Sequence, residues 1–218
     1  MRRSVNLHPT LHPTPHIQRK LAAGAAVLAL LLSGCASNKA PPPTQFDFGP
    51  AIPAGQAAPA STLGAVVVTD VTGSSALDNE RMFYRLSYAD ALQARTYANS
   101  RWTANPLQMM TQRLKTRIGQ AGAKVLSETD ASLGIPILRV DVDDFVHDFT
   151  GVSQSRGVVA VRASLFQGHT LVDQKSFVRA TPATTADAAG GARALAASTD
   201  AISADIVGWL GSLNLKPR

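Results

Sequence analysis

Two stretches of this chain place their apolar residues on one face of a helix, while most of what lies between them has the period of strands. Few folds satisfy both patterns. Over residues 106–121 the apolar positions are Leu107, Met110, Leu114, Ile118 and Ala121, spaced 3, 4, 4 and 3, which draws a single stripe down a helix. Pro106 suits a first helical turn, where a missing N–H costs nothing, and Gly122 stands where a helix would end. Within residues 185–213, Leu195, Thr199, Ile202, Ile206, Trp209 and Leu213 recur at intervals of 3 and 4. The Gly190-Gly191 pair weakens the start of that segment by about 1 kcal/mol each relative to Ala, so its stable part is expected from about Arg193. Residues 65–71, a β-branched run, read as a buried strand. Residues 81–88 set Met82, Tyr84, Leu86 and Tyr88 against Phe83, Arg85 and Ser87, a second strand. Residues 123–128, 136–149, 157–167 and 170–180 continue as a meander with glycines in the turns. One-faced helices must bury their stripe against another layer. The expected fold is therefore α+β: a twisted, mainly antiparallel sheet of about six strands with two amphipathic helices packed on one face.

Upstream of this region the chain begins with Arg2, Arg3, Arg19 and Lys20 and no acid, then an apolar run over residues 21–32. Twelve residues rise only about 18 Å as a helix, against roughly 30 Å of bilayer hydrocarbon. The run reads as an export signal rather than a span. It ends at Leu32-Ser33-Gly34-Cys35, and Cys35 is the only cysteine in 218 residues. A lone thiol closes no disulfide within its chain and builds no thiolate metal cage. The tetrapeptide resembles the lipobox of bacterial lipoproteins. That resemblance implies that residues 1–34 are a signal peptide and that Cys35 becomes the acylated first residue of the mature protein, a site for palmitate. One acyl chain holds a membrane weakly and several hold it stably. Ala36 stands where Asp is commonly associated with retention in the inner membrane, so the same resemblance implies the inner leaflet of the outer membrane, with the domain in the periplasm.

The net charge of +6 is mostly a property of the signal, which holds four of the 21 basic residues and none of the 15 acidic ones. Without it, 17 basic residues face 15 acidic ones, a charge of +2 that gives no argument for nucleic acid. Residues 36–61 carry six of the 13 prolines and read as an extended tether. The domain organisation expected is a signal over 1–34, a Pro/Ala-rich tether over 35–62 and a folded domain over 63–214. Within the tether, Phe46-Asp47-Phe48 alternates like an edge strand, an alternative starting point for the domain.

Candidates for chemistry are sparse. "DVDDFVHD" gathers Asp141, Asp143, Asp144, His147 and Asp148, but strand alternation puts Asp141, Asp143 and His147 on one face and Asp144 and Asp148 on the other unless a bulge intervenes. His169 lies in the turn-like "QGHT". Ser153 and Ser155 have neither a G-x-S-x-G frame nor an identifiable base. No glycine loop of the Walker or dinucleotide type is present in the sequence. The reading is a protein that is not an enzyme and uses no cofactor or metal.

"RMFYRLSYADALQARTYANSRWTANPLQMMTQRLKTRI" contains an Arg/Tyr-rich strand, a connector, and Arg101-Trp102 just before the first helix. With "LRVDVDDFVHDF", the strand pair after it and a final helix ending near Trp209, this layout resembles the ABC-type transport auxiliary lipoproteins, the PqiC-like group. Where many relatives carry a Tyr-x-Leu element, this chain has Phe46-Asp47-Phe48. The resemblance implies a noncatalytic outer-membrane partner of an MCE-type lipid transport system, in which an inner-membrane ABC transporter and a periplasmic MCE-domain protein move phospholipid or related cargo and so maintain membrane integrity. A homo-oligomer is compatible with it. Tyr97, Arg101 and Trp102 are the candidate partner contacts, since Trp, Tyr and Arg dominate interface hot spots. Trp102 also fits a second role, as an anchor packing the helix start onto the sheet. The alternatives are a structural lipoprotein of envelope maintenance and a periplasmic metal-dependent hydrolase using the Asp/His strand.

Overall fold

The computed structural model describes residues 42–51, 64–130 and 133–213. Cys35, the signal segment and most of the tether lie outside the described residues. In chain order the elements are β1 (Thr44–Phe46), β2 (Ala65–Val68), β3 (Thr72–Gly73), a 3-10 turn (Ser75–Leu77), β4 (Arg81–Leu86), β5 (Ala94–Trp102), α1 (Pro106–Gln120), β6 (Lys124–Leu126), β7 (Ile137–Gly151), β8 (Gln154–Gln167), β9 (Thr170–Pro182) and α2 (Ala188–Ser212).

Strand β7 is the spine. Along one side it pairs antiparallel with β8, which pairs antiparallel with β9. Along the other it takes three short strands in succession, all parallel to it: β2 by its first residues, β3 at Asp141, and β4 at His147. Strand β6 flanks β2, and β5 flanks β4, with β1 beyond β5 at the edge. The sheet is therefore mixed, its long pairings antiparallel and its two- to four-residue pairings largely parallel. The six strands read from the sequence are β2, β4, β6, β7, β8 and β9; β1, β3 and β5 complete the nine.

Both helices pack against one face, where Val66, Val68, Met82, Trp102, Leu138, Val159, Leu165, Leu195, Ile202 and Ile206 are buried. Helix α1 starts as its sequence requires: the Asn105 side chain accepts from the Gln108 N–H at 2.8 Å, Pro106 follows, and Gly122 takes φ +90° just past the end. Helix α2 starts earlier than the glycine pair had implied, at Ala188 rather than near Arg193, because Asp187 caps it by accepting from the Gly190 N–H at 2.7 Å. Helix and sheet touch at Gly191 of the pair and at Gly157 of β8. A Cβ on Gly191 would lie 2.3 Å from Nδ1 of His147, and one on Gly157 of β8 would lie 2.4 Å from the backbone nitrogen of Leu195. Ser198, one turn further along, donates to the Gly157 carbonyl at 2.8 Å. Side chains at either glycine would push α2 off the sheet.

Candidate functional site

The first cluster is built where β5, β4 and β7 run side by side beneath the start of α2. Tyr84 stands opposite His147 in the parallel β4–β7 register, and Tyr97 of β5 packs tilted against Tyr84 with ring centroids 4.7 Å apart. The Tyr97 hydroxyl lies 2.8 Å from Nδ1 of His147, and Phe149 closes the group, 4.5 Å from the imidazole and 6.0 Å from Tyr84. His147 is completely buried, and its Nε2 has no hydrogen-bond partner. Burial lowers the His147 pKa to about 4, outweighing the opposite pull of Asp187 and Asp148, so the ring is neutral near pH 7. Burial likewise pushes the Tyr97 hydroxyl above its ordinary value, with Tyr84 and Asp187 adding to the effect. A neutral, walled-in imidazole held by a phenol that keeps its proton is a packing unit rather than an acid–base pair.

His147 reaches that position through a bulge. The β7–β8 register passes from Val142 opposite Val161 to Asp144 opposite Ala160, leaving Asp143 as an extra residue. The alternation inverts there: Val140 and Val142 face the helices before the bulge, and Phe145 and His147 do so after it. His147 thus parts from Asp141, with which simple alternation had grouped it. The carboxylates left on the other side each meet an arginine. Asp144 pairs with Arg85 at 3.3 Å, Asp148 with Arg156 at 3.0 Å, and Asp141 and Asp143 with Arg162 at 4.0 Å. Asp148 also accepts from Ser87, and Asp141 from Thr72. Among the described residues no group of three or more His, Cys, Asp or Glu could hold a metal ion. His169 is exposed in the β8–β9 turn and Ser153 in the β7–β8 turn, while Ser155 has a buried hydroxyl without a partner.

Of the three residues considered as partner contacts, the structure spreads them over different depths. The Trp102 side chain is fully buried, with Phe48 at 5.7 Å and Phe145 at 5.7 Å between centroids, and its backbone N–H donates to the Glu80 carbonyl at 2.8 Å. It anchors the end of β5 just before α1 and offers no surface. Arg101, beside it, is exposed and reaches Glu80 at 4.0 Å. Tyr97 is half-buried, with its hydroxyl turned to His147.

A second cluster had no sequence signal beyond Phe46-Asp47-Phe48. Residues 44–49, which fall in the stretch read as tether, lie across the domain edge: β1 pairs with β5, Phe48 enters the core beside Trp102, and Gly49 turns with φ +65°. Arg113 of α1, almost completely buried, donates to the Phe48 and Gly49 carbonyls and pairs with Asp200 of α2 at 3.4 Å. Asp200 also takes Arg117 at 2.9 Å. One guanidinium thus joins the entering chain to both helices. Open grooves flank the entering segment, one against Ala189, Ala192 and Ala196 of α2 and one against Met109 and Gln112 of α1.

The model of the ABC-type transport auxiliary lipoprotein component matches residues 46–207. The chain belongs to that family. Its match begins inside β1, so the family's own domain takes in the segment that Arg113 fastens. Two solved structures share the fold of this auxiliary lipoprotein. One, a Xanthomonas campestris protein of the DUF330 family, is 20% identical with TM-score 0.62, covering 77% of this chain and 91% of its own. The other, an uncharacterized protein, is 16% identical with TM-score 0.61, covering 78% of this chain and 99% of its own. No curated protein sequence matches the chain. Members of the family are lipoproteins of transport systems built around an ABC transporter, and the auxiliary component is in general noncatalytic.

Proposed function

We propose that this chain is the outer-membrane lipoprotein of an ABC/MCE-type intermembrane lipid transport system, held in the inner leaflet by acyl chains on Cys35 and docking the periplasmic MCE-domain protein to that membrane. The family match over residues 46–207 carries this reading. The site chemistry agrees with it: the polar clusters are closed ion pairs and a neutral buried imidazole, arrangements that hold a shape. Energy for transport would come from the separate ATPase, since the sequence has no phosphate-cradling loop. Arg101, exposed on β5, is the proposed first contact for the partner, with half-buried Tyr97 four residues back along the same strand and Trp102 fixing the end of the strand in the core.

Affinity purification of the full-length lipoprotein from crosslinked envelopes, with partners identified by mass spectrometry, tests the reading. An MCE-domain protein should be recovered. Its repeated absence, under conditions that preserve other envelope complexes, would remove the MCE role.

A further inference from the structure

We infer that Arg81 and Arg101, opposed across β4 and β5 on the face of the sheet turned away from the helices, form a binding site for a carboxylate side chain of a partner protein. That this partner is the MCE-domain protein rests on the docking proposed above.

The backbone brings the two arginines together. They stand directly opposite each other in the antiparallel β4–β5 register. Met82 and Trp102, the next residue of each strand, are completely buried on the helix side, so strand alternation turns both arginines outward, and both are exposed. The pairing breaks at this point. Arg85 opposite Ala94, Tyr84 opposite Arg95 and Phe83 opposite Thr96 form a regular ladder, which would continue to Arg81 opposite Ala98. The register shifts between Phe83 and Arg81 and brings Arg101 there instead, held by the Trp102 backbone N–H donating to the Glu80 carbonyl at 2.8 Å. Irregularities of this kind re-aim side chains. Like charges directly opposite each other, with Cβ atoms about 5 Å apart, work against strand pairing. The break therefore creates a contact from which the fold itself gains nothing.

Among the described residues, the other arginines on that face already have partners. Arg85 pairs with Asp144, Arg156 with Asp148, and Arg162 with Asp141 and Asp143, while Arg139 lies over the Phe166 ring at 5.0 Å. Arg101 reaches only Glu80, at 4.0 Å, and the Glu80 side chain is half exposed. No carboxylate of the described residues lies within ion-pair distance of Arg81. Two guanidinium forks side by side match one carboxylate, each of whose oxygens can accept from a separate fork. The surface around them is open strand, where an anion free in solution would gain only two solvated contacts. A carboxylate carried on a protein surface also brings contact with half-buried Phe83, two residues along β4 on the same face. Glu80 at the rim repels a doubly charged phosphate more than a singly charged carboxylate.

The test uses full-length acylated protein in neutral detergent micelles and a fluorescein-labelled hexaglutamate peptide, followed by anisotropy. Arg81→Gln and Arg101→Gln should each weaken binding about fivefold, and Arg81→Lys less. Arg139→Gln, which removes the same charge from the same face, should leave it unchanged. Equal losses in Arg81→Gln and Arg139→Gln would reduce the binding to net charge and overturn the site. Release of the peptide by inorganic phosphate at constant ionic strength would make it a phosphate site and overturn the inference as well. Arg81→Gln should melt no lower than the wild type, because it relieves a like-charge pair; a clearly lower Tm would assign Arg81 to the fold instead. In crosslinked envelopes, Arg81→Glu should lower recovery of the MCE-domain protein severalfold. Equal recovery by the wild type and Arg81→Glu would overturn the site and leave the docking intact. Wild-type protein that recovers none, with the peptide result as expected, would overturn the docking and leave the carboxylate site to another partner.

Discussion

Arg113 donates to the Gly49 carbonyl at 2.6 Å, so a side chain buried in α1 holds the segment that follows β1 at the domain edge. The same guanidinium serves the Phe48 carbonyl and Asp200. Charge-assisted hydrogen bonds contribute about 1.5–3 kcal/mol each, and losing the cation leaves carbonyls buried without donors. Arg113→Ala should destabilise the domain by about 3 kcal/mol in urea unfolding and expose residues 42–51 to limited proteolysis first. An unchanged midpoint would show that the fastening is idle.

Trp102 packs edge-to-face on Phe48 and tilted against Phe145. Truncating a buried Trp costs about 3–5 kcal/mol, and a domain of this size loses about 2–4 °C for each kcal/mol. Trp102→Ala is therefore expected to lower Tm by roughly 10 °C by calorimetry. A variant of full stability that binds no partner would make Trp102 a contact residue instead.

Gly191 and Gly208 both lie in α2, yet alanine should act on them in opposite directions. At Gly208 a Cβ meets nothing within 4 Å, so Gly208→Ala should stabilise by up to about 1 kcal/mol through helix propensity. At Gly191 the Cβ would lie 2.3 Å from His147 Nδ1, and the clash should outweigh the same gain. Matched chemical denaturation of the two variants checks the sign of each.

His147 gives the fold a pH dependence of definite sign. Its pKa is near 4 when folded and close to its ordinary 6.5 when unfolded, so between those values the unfolded chain binds the extra proton. This contribution is complete above pH 6.5 and is lost as pH falls toward 4, by up to about 1.4 kcal/mol per pH unit. Urea midpoints measured from pH 7 to pH 4.5 should fall more steeply for the wild type than for His147→Gln. Parallel curves would mean that the imidazole titrates alike in both states.

The elements that were legible in the sequence are those whose burial writes a period. Helix α1, with its Pro106 start and Gly122 stop, and the long strands β7 and β8 bury one face against the other layer, while β9 is carried by its alternation and its turn glycine and buries Phe177. Strand β5 was read as a connector because "ARTYANSRW" leaves most of its side chains exposed; its place comes from backbone pairing to β4 and β1, which leaves no apolar period. The Asp143 bulge was equally silent, since one extra residue changes no composition, yet it turns His147 toward the helices. Trp102 could be read both as anchor and as contact, and only its burial separates the two. The role of Arg113 leaves no sequence signal, because Phe48, Gly49 and Asp200 come to it from distant parts of the chain.

The central claim is that this lipoprotein docks an MCE-domain protein, and a photocrosslinker placed at Arg101 in living cells tests it most directly. Position 178 on β9, where Val178 is 65% exposed, serves as the control surface. The account predicts adducts between position 101 and an MCE-domain protein, with none from position 178. A folded, acylated lipoprotein whose position-101 adducts contain no MCE-domain protein would contradict it.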